Sequence, residues 1–153
     1  MKVISIRQPF ASLIVEGIKD IENRTWKLPE KYKGQRVLVH ASAGSGNKFK
    51  INLTDEQTIA AFGSISKNAI EGTFPFGAII GSVEILDCVI NHESIWAEKT
   101  EGVLVGHAFY TKEETKPIYN WVLANPIKFD KPIQAKGKLG FWDFDIENKL
   151  NNK

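Results

Sequence analysis

The sequence has one cysteine, three histidines and no long apolar segment, and each of these shortages excludes a class of protein. Because Cys88 is the only cysteine, the chain cannot form an internal disulfide, which fits a reducing compartment. No segment approaches the roughly 20 consecutive apolar residues of a membrane-spanning helix, and the amino terminus becomes charged too early for a secretory signal. We therefore expect a cytoplasmic protein that does not associate with membranes.

Motifs of metal, cofactor and hydrolase chemistry are also scarce. His40, His92 and His107 are far apart and lack the paired spacing of metal ligands, so we expect no metal site. The glycine-rich segment 42–46 lacks the lysine of a phosphate-binding loop, and no Gly-x-Ser-x-Gly elbow is present. We therefore expect no bound cofactor and no serine hydrolase of that type.

Length and charge set the scale of the molecule. The 153 residues predict a single domain over residues 1–147, followed by a flexible polar tail at 148–153. The formal net charge of +2 permits an anionic partner without requiring one. Lysines nevertheless cluster in the first third of the chain and again near its end, and three of them are expected to attract phosphates, namely Lys27, Lys48 and Lys50.

Hydrophobic periodicity predicts more strands than helices. Strands are expected within residues 2–6, 20–26, 34–42, 76–91, 119–133 and 136–146, with residues 76–91 the longest, a bulge near Leu86, and turns at 125–126 and 130–132. Helices are expected within residues 8–17, at 53–62 behind a Thr54–Gln57 capping box, at 64–72 and at 94–99. Because the helices do not alternate strictly with strands, the pattern predicts an α+β fold, a small β-barrel with flanking helices, and not a doubly wound sheet.

Three charged residues stand close together where the first helix ends and the next strand begins. Gly17 ends the helix, and Lys19, Glu22 and Arg24 follow within seven positions. In a strand Glu22 and Arg24 point to the same side, about 7 Å apart, close enough to share one ligand. A buried lysine can act as a base, and an arginine fork suits phosphate or carboxylate oxygens. Spacing alone, however, favours a surface ion-pair network over a binding site.

The segments around this cluster resemble the ASCH (activating signal cointegrator homology) domain family of the PUA-like superfamily. The family hallmark Gly-x-Lys-x-x-Glu-x-Arg is complete in residues 17–24, within the similar segment 5–26. Three later segments also resemble the family, at 34–42, 76–89 and 120–144, which leaves 44–74 and 92–116 as variable insertions. Because of this resemblance, we interpret Lys19, Glu22 and Arg24 as a ligand-binding site and not as a surface ion-pair network.

The resemblance implies a PUA-like β-barrel of about five or six strands with flanking helices and a cleft at one side. It also implies binding of RNA, or of a nucleotide or nucleoside, in a basic cleft. Some small bacterial members of the family are amidohydrolases of acetylated cytidine, and another has been assigned ribonuclease activity, so an enzyme is the alternative. Those amidohydrolases carry threonine where Glu22 stands, which puts the same reaction in doubt for this chain. A protein-interaction adaptor is a third possibility.

Candidate site residues follow from the resemblance and from their places in the pattern. If the protein is an enzyme, Lys19 and Glu22 are the expected catalytic residues. For Arg7 we weigh an anion contact against a local salt bridge, and for His40 a place at the cleft against a buried, hydrogen-bonded role. We expect Trp26 to be an exposed stacking surface for bases, whereas two other tryptophans belong to the core. The expected ligand-binding residues are Arg7, Lys19, Glu22, Arg24, Trp26, His40 and Ser42.

Overall fold

The computed structural model describes residues 1–43, 52–63 and 74–151. Within them the strands are β1 (Lys2–Ile6), β2 (Ile21–Arg24), β3 (Gln35–Ala41), β4 (Ala78–Val89), β5 (Gly102–Val105), β6 (Ala108–Thr111), β7 (Tyr119–Gln134) and β8 (Phe141–Asp143). The helices are α1 (Phe10–Val15), α2 (Asp55–Phe62) and α3 (Ile146–Asn151), and a 3-10 turn covers Glu30–Tyr32. Residues 148–151, placed in the tail by the sequence pattern, continue α3.

Six strands form one mixed sheet that curves into a half-barrel, in the order β2-β7-β4-β3-β1-β8. Strand β1 is parallel to β3, and the other neighbouring pairs are antiparallel. Irregular register along β4 accompanies the curvature, including the bulge predicted near Leu86. The core packs against the sheet around the fully buried Trp121, and α1 covers part of it. This architecture confirms the predicted α+β fold of a small barrel with flanking helices.

Helix α1 is short, and its two ends determine where the next residues lie. The side chain of Gln8 accepts a hydrogen bond of 3.0 Å from the backbone N–H of Ser12, which satisfies one free donor of the first turn. At the other end Gly17 has a φ of +79°, which few other residues adopt readily. The N–H groups of Ile18 and Lys19 then both donate to the carbonyl oxygen of Leu13. This cap turns Lys19 inward, directly before β2.

Two predictions about β7 are wrong. The chain does not turn at residues 125–126 or 130–132, because β7 runs through both as one strand of 16 residues. Asn125 takes a positive φ of 49°, and the pairing with β4 shifts register nearby, so irregular positions absorb the two prolines without ending the strand. Consequently β7, and not the 12-residue β4, is the longest strand among the described residues.

The predicted helix at 94–99 is also wrong, whereas the helix with the capping box is confirmed as α2. Residues 92–100 form an irregular loop because side chains capture its backbone donors. The N–H of Ser94 donates to Nδ1 of His92, and the N–H of Trp96 donates to the Ser94 hydroxyl. The sequence pattern did not indicate the β5–β6 hairpin, and the helical piece expected at 64–72 lies outside the described residues.

Candidate functional site

A cavity of about 540 Å³ opens between β1 and β2, the strands that face each other across the open side of the half-barrel. Strand β8 pairs only with residues 2–4 of β1, so the carboxyl end of β1 is left free to border the cavity. The loop 94–98 and the start of α2 complete the walls. The lining residues are Ser5, Ile6, Arg7, Phe10, Lys19, Glu22, Asn23, Arg24, Asn52, Thr54, Gln57, Ile95, Trp96, Ala97 and Glu98.

Lys19 lies at the wall of this cavity with only 5% of its surface exposed. Its Nζ atom donates to the carbonyl oxygen of Ile21, lies 3.7 Å from Oε2 of Glu22 and is 5.2 Å from the centre of the Phe10 ring. Burial lowers the pKa of Lys19 below its ordinary value, and the negative charges of Glu22 and Glu98 oppose this only in part. The site therefore favours the neutral amine more than water does.

Glu22 lies between the two cations and contacts both. Because side chains alternate along β2, Glu22 and Arg24 project to the same side, as the sequence predicts. The Nε atom of Arg24 is 2.9 Å from Oε1 of Glu22, and Nη2 donates to the carbonyl oxygen of Ser5 at 2.8 Å. The Nη1 atom makes no hydrogen bond to any residue that the structure describes. One edge of the guanidinium therefore remains available to a ligand.

Arg7 brings a third cation to the cavity. It follows the last residue of β1, is exposed, and forms neither an ion pair nor a side-chain hydrogen bond with the described part of the chain. The alternative of a local salt bridge for Arg7 is therefore not found there. Glu98 is a second carboxylate that lines the cavity, and its charge acts on Lys19. Three cationic and two anionic side chains thus line one concavity.

The loop wall of the cavity is held by two asparagines that the sequence analysis missed. Asn120, fully buried in β7, donates from Nδ2 to Oδ1 of Asn23 at 2.9 Å and to the carbonyl oxygen of Glu98 at 3.1 Å. Its Oδ1 accepts from the N–H of His92, and Nδ2 of Asn23 donates to the carbonyl oxygen of Trp96. The signal in the sequence was a polar residue in the otherwise apolar and aromatic first part of β7, residues 119–124. Trp96, 3% exposed and also missed, lines the cavity directly.

Three of the predicted ligand-binding residues lie elsewhere. Trp26 is half-buried and packs edge-on against Trp121, with ring centres 4.7 Å apart, so it is a core residue and not an exposed stacking surface. His40 is buried, and its Nε2–H donates to the carbonyl oxygen of Ala135 at 2.8 Å. This matches the buried, hydrogen-bonded role that was weighed against a place at the cleft. The hydroxyl of Ser42 donates to the carbonyl oxygen of Ile6. None of the three lines the cavity.

The three lysines expected to attract phosphates do not contribute to the cavity as described. Lys27 is exposed and does not line it, whereas Lys48 and Lys50 lie outside the described residues. Among the residues described, no group of three or more His, Cys, Asp or Glu side chains is placed to hold a metal ion. In the same residues, no helix combines the length and apolar character needed to cross a bilayer.

A six-stranded mixed half-barrel with a charged cleft at its open side defines a PUA-like α+β protein. The sequence model of the ASCH domain matches residues 4–133, and the chain belongs to the ASCH family. The structure resembles the crystal structure of ASCH from Zymomonas mobilis, with a TM-score of 0.54, 16% identity, and coverage of 97% of this chain and 90% of that one. The crystal structure of a single-substitution mutant of that protein gives a TM-score of 0.52 and 17% identity, with 98% of this chain and 94% of that one covered.

Two curated proteins are similar in sequence over nearly the whole chain. Activating signal cointegrator 1 of Homo sapiens is 23% identical over 144 residues, which cover 93% of this chain and 22% of that protein. The protein of the same name from Mus musculus is 22% identical, with the same coverage. The chain thus spans about a fifth of the length of these relatives.

Proposed function

We propose that this ASCH domain binds RNA, or a single nucleotide or nucleoside, in the cleft between β1 and β2. The observation that carries the proposal is the convergence of Arg7, Lys19 and Arg24 on one concavity. Surface ion pairs satisfy each other in water and leave little for a ligand. Here the Arg7 guanidinium and one edge of Arg24 have no protein partner among the described residues, so the cleft offers directed donors to an anion.

The size of the cleft favours one nucleotide unit over a duplex. A volume of about 540 Å³ lies within the range of small-molecule sites, roughly 300–1,000 Å³. Phe10 and Trp96 supply apolar surface beside the charged groups, which suits a base and its phosphate together. In this arrangement Arg7 and Arg24 contact phosphate or carbonyl oxygens. Glu22 keeps Lys19 and Arg24 in position.

Direct binding measurements test the proposal. The probes are the four ribonucleosides and their 5′-monophosphates, called here the mononucleotide panel, and a short mixed-sequence single-stranded RNA. We expect at least one panel member and the RNA to bind at low salt, with RNA affinity falling steeply as salt rises. Lys19→Met should weaken both, whereas the matched variant Lys33→Met, at an exposed lysine outside the cleft, should weaken neither. Absence of binding to every probe at low salt overturns the proposal.

A second candidate is hydrolysis in the same cleft, and the lowered pKa of Lys19 favours it. A neutral amine can take a proton from water as the water attacks an acyl carbon. For acetylated cytidine the products are cytidine and acetate, and for RNA the bond broken is a phosphodiester. The test is turnover of both substrates by the wild-type protein and by Lys19→Ala. If both proteins are equally inert, the hydrolytic candidate is overturned.

A further inference from the structure

We propose that the loop between β7 and β8, residues 135–140, is a second contact surface for single-stranded RNA, beside the cleft. This inference rests on the proposed function and deepens it, because it makes the ligand a strand and not a free nucleoside. One nucleotide occupies the cleft, and the phosphates that continue from it lie along the loop. Three features of the 135–140 loop support this role: the hydrogen bonds that hold it, its exposed lysines and leucine, and its contact with Ser5.

The 135–140 loop has a fixed shape, because buried groups hold it from beneath. Nε2–H of His40 donates to the carbonyl oxygen of Ala135 at 2.8 Å, and the hydroxyl of Ser5 donates to the carbonyl oxygen of Lys138 at 3.1 Å. Between them Gly137 lies so close to His40 that an added Cβ would be 2.6 Å from the ring carbon Cε1. Only glycine permits this approach, since the buried imidazole cannot move aside.

This rigid loop presents unpaired cations and an apolar side chain to the solvent. Lys136 and Lys138 are exposed, and neither forms an ion pair within the described residues. The Lys138 ammonium lies 5.9 Å from the centre of the Trp142 ring, which supports it without neutralising it. Leu139 is 100% exposed. Ammonium groups attract successive phosphates, and an exposed apolar side chain can contact an unstacked base or a sugar.

Ser5 connects the 135–140 loop to the cleft. Its hydroxyl contacts the loop at Lys138, whereas its carbonyl oxygen lines the cleft and accepts from Nη2 of Arg24. One residue of β1 therefore separates the two surfaces. Because Ser5 contacts both surfaces, we infer that one continuous RNA backbone can engage the cleft and the 135–140 loop together.

The experiment compares two double variants that remove the same charge. Lys136→Ala/Lys138→Ala changes the proposed surface. Lys31→Ala/Lys116→Ala is the matched control, because Lys31 also stands over an aromatic ring, that of Tyr32, and Lys116 is also exposed. For the first variant we expect about tenfold weaker binding of the short RNA at low salt. We also expect a salt dependence reduced by about 1.4 in slope, as two phosphate contacts predict for a single strand.

The mononucleotide panel separates this inference from the proposed function. Panel affinity should be unchanged in both double variants, and RNA affinity should be nearly unchanged in the control. An unaltered RNA slope in Lys136→Ala/Lys138→Ala, or equal losses in the two variants, overturns the loop assignment and leaves the cleft function standing. The same holds if the wild-type protein binds RNA no more tightly than the panel. If the wild-type protein binds neither probe, both proposals fall together.

Discussion

The Nη2 atom of Arg24 donates a 2.8 Å hydrogen bond to the carbonyl oxygen of Ser5, which links β2 at one edge of the sheet to β1 near the other. Arg24 therefore has two roles, because the same guanidinium closes the open side of the half-barrel and faces the cleft. Lysine has a single ammonium in place of the fork and cannot hold both Ser5 and Glu22 in this geometry.

We therefore predict that Arg24→Lys costs about 1.5–3 kcal/mol of unfolding free energy, the usual range for a lost charged hydrogen bond. It should also weaken binding of the mononucleotide panel about tenfold or more. Arg36→Lys is the control, since Arg36 likewise holds a carboxylate, Glu84 at 3.0 Å, but outside the cleft. Urea denaturation and calorimetric titration should show lower stability in both variants and weaker binding in Arg24→Lys alone. Equal binding by the two variants contradicts the assignment of Arg24 to the ligand.

Two tryptophans should differ in what they contribute. Trp26 packs on Trp121 and Phe141 away from the cleft, whereas Trp96 lines it. Trp96→Ala should lower the unfolding free energy by about 3–5 kcal/mol, and Trp26→Ala by less, because Trp96 is buried and Trp26 is half-buried. Only Trp96→Ala should weaken panel binding, as measured below the unfolding transition. Weaker binding in Trp26→Ala would restore its predicted role as a stacking surface.

Local patterns made much of this fold and part of this cleft predictable. The alternation along β2 and the glycine that ends α1 bring Lys19, Glu22 and Arg24 to one side, and these are short-range effects. Whether they face a cavity depends on the loop 92–100, whose conformation is set by Asn23 and Asn120. These two residues are 97 positions apart, so periodicity could not pair them.

Errors arose where tertiary pairing overrides a local signal. Pro126 and Pro132 are strong turn signals, yet β4 pairs with β7 along its length and keeps the strand continuous. The alternating apolar neighbours of His40 favoured a buried, hydrogen-bonded role over a place at the cleft, and in the structure the residue is 1% exposed. The imidazole of His40 donates its hydrogen bond to the carbonyl oxygen of Ala135, which is 95 residues away in the sequence. Such long-range hydrogen-bond partners form only when the strands pair in the folded sheet, so a local sequence pattern does not identify them.

Asn120 should position the loop wall without touching the ligand. Asn120→Asp keeps the shape and the acceptor for the N–H of His92 but removes both donated hydrogen bonds, to Asn23 and to Glu98. We expect a loss of about 2–4 kcal/mol in unfolding free energy. We also expect faster amide hydrogen exchange confined to residues 92–98, and weaker panel binding. Uniformly faster exchange across the whole sheet would instead mean that Asn120 only stabilises the fold.

Lys19 should make stability depend on pH in a defined direction. Its pKa is lowered in the folded protein from an ordinary value of 10.5, so the unfolded chain binds more protons between the two values. The stability of the wild-type protein relative to Lys19→Met should therefore rise as pH increases through that interval. Lys33 has a raised pKa from its bond with Asp87, so below about pH 9.5 it is protonated in both states. The difference in unfolding free energy between the wild-type protein and Lys33→Met should not change between about pH 7 and 9.5. If the difference for Lys19→Met is also independent of pH, burial does not lower the pKa of Lys19.

The carboxylates around Lys19 should raise its pKa in a graded order. Glu22 is the strongest, because it lies 3.7 Å away and is itself buried, and Glu98 and Asp20 act through weaker charge interactions. We predict that Glu22→Gln lowers the pKa of Lys19 most, Glu98→Gln less and Asp20→Asn least. Titration of the Lys19 side-chain carbon signal by NMR measures each shift directly. Because a lower pKa increases the fraction of neutral amine, Glu22→Gln should also weaken binding of the monophosphates most at pH values between the Lys19 pKa of the variant and that of the wild-type protein, both taken from the titration. The reverse order of shifts would contradict this ranking. It would mean that Glu22 interacts mainly with Arg24, and that Glu98 is the carboxylate that chiefly stabilises the protonated form of Lys19.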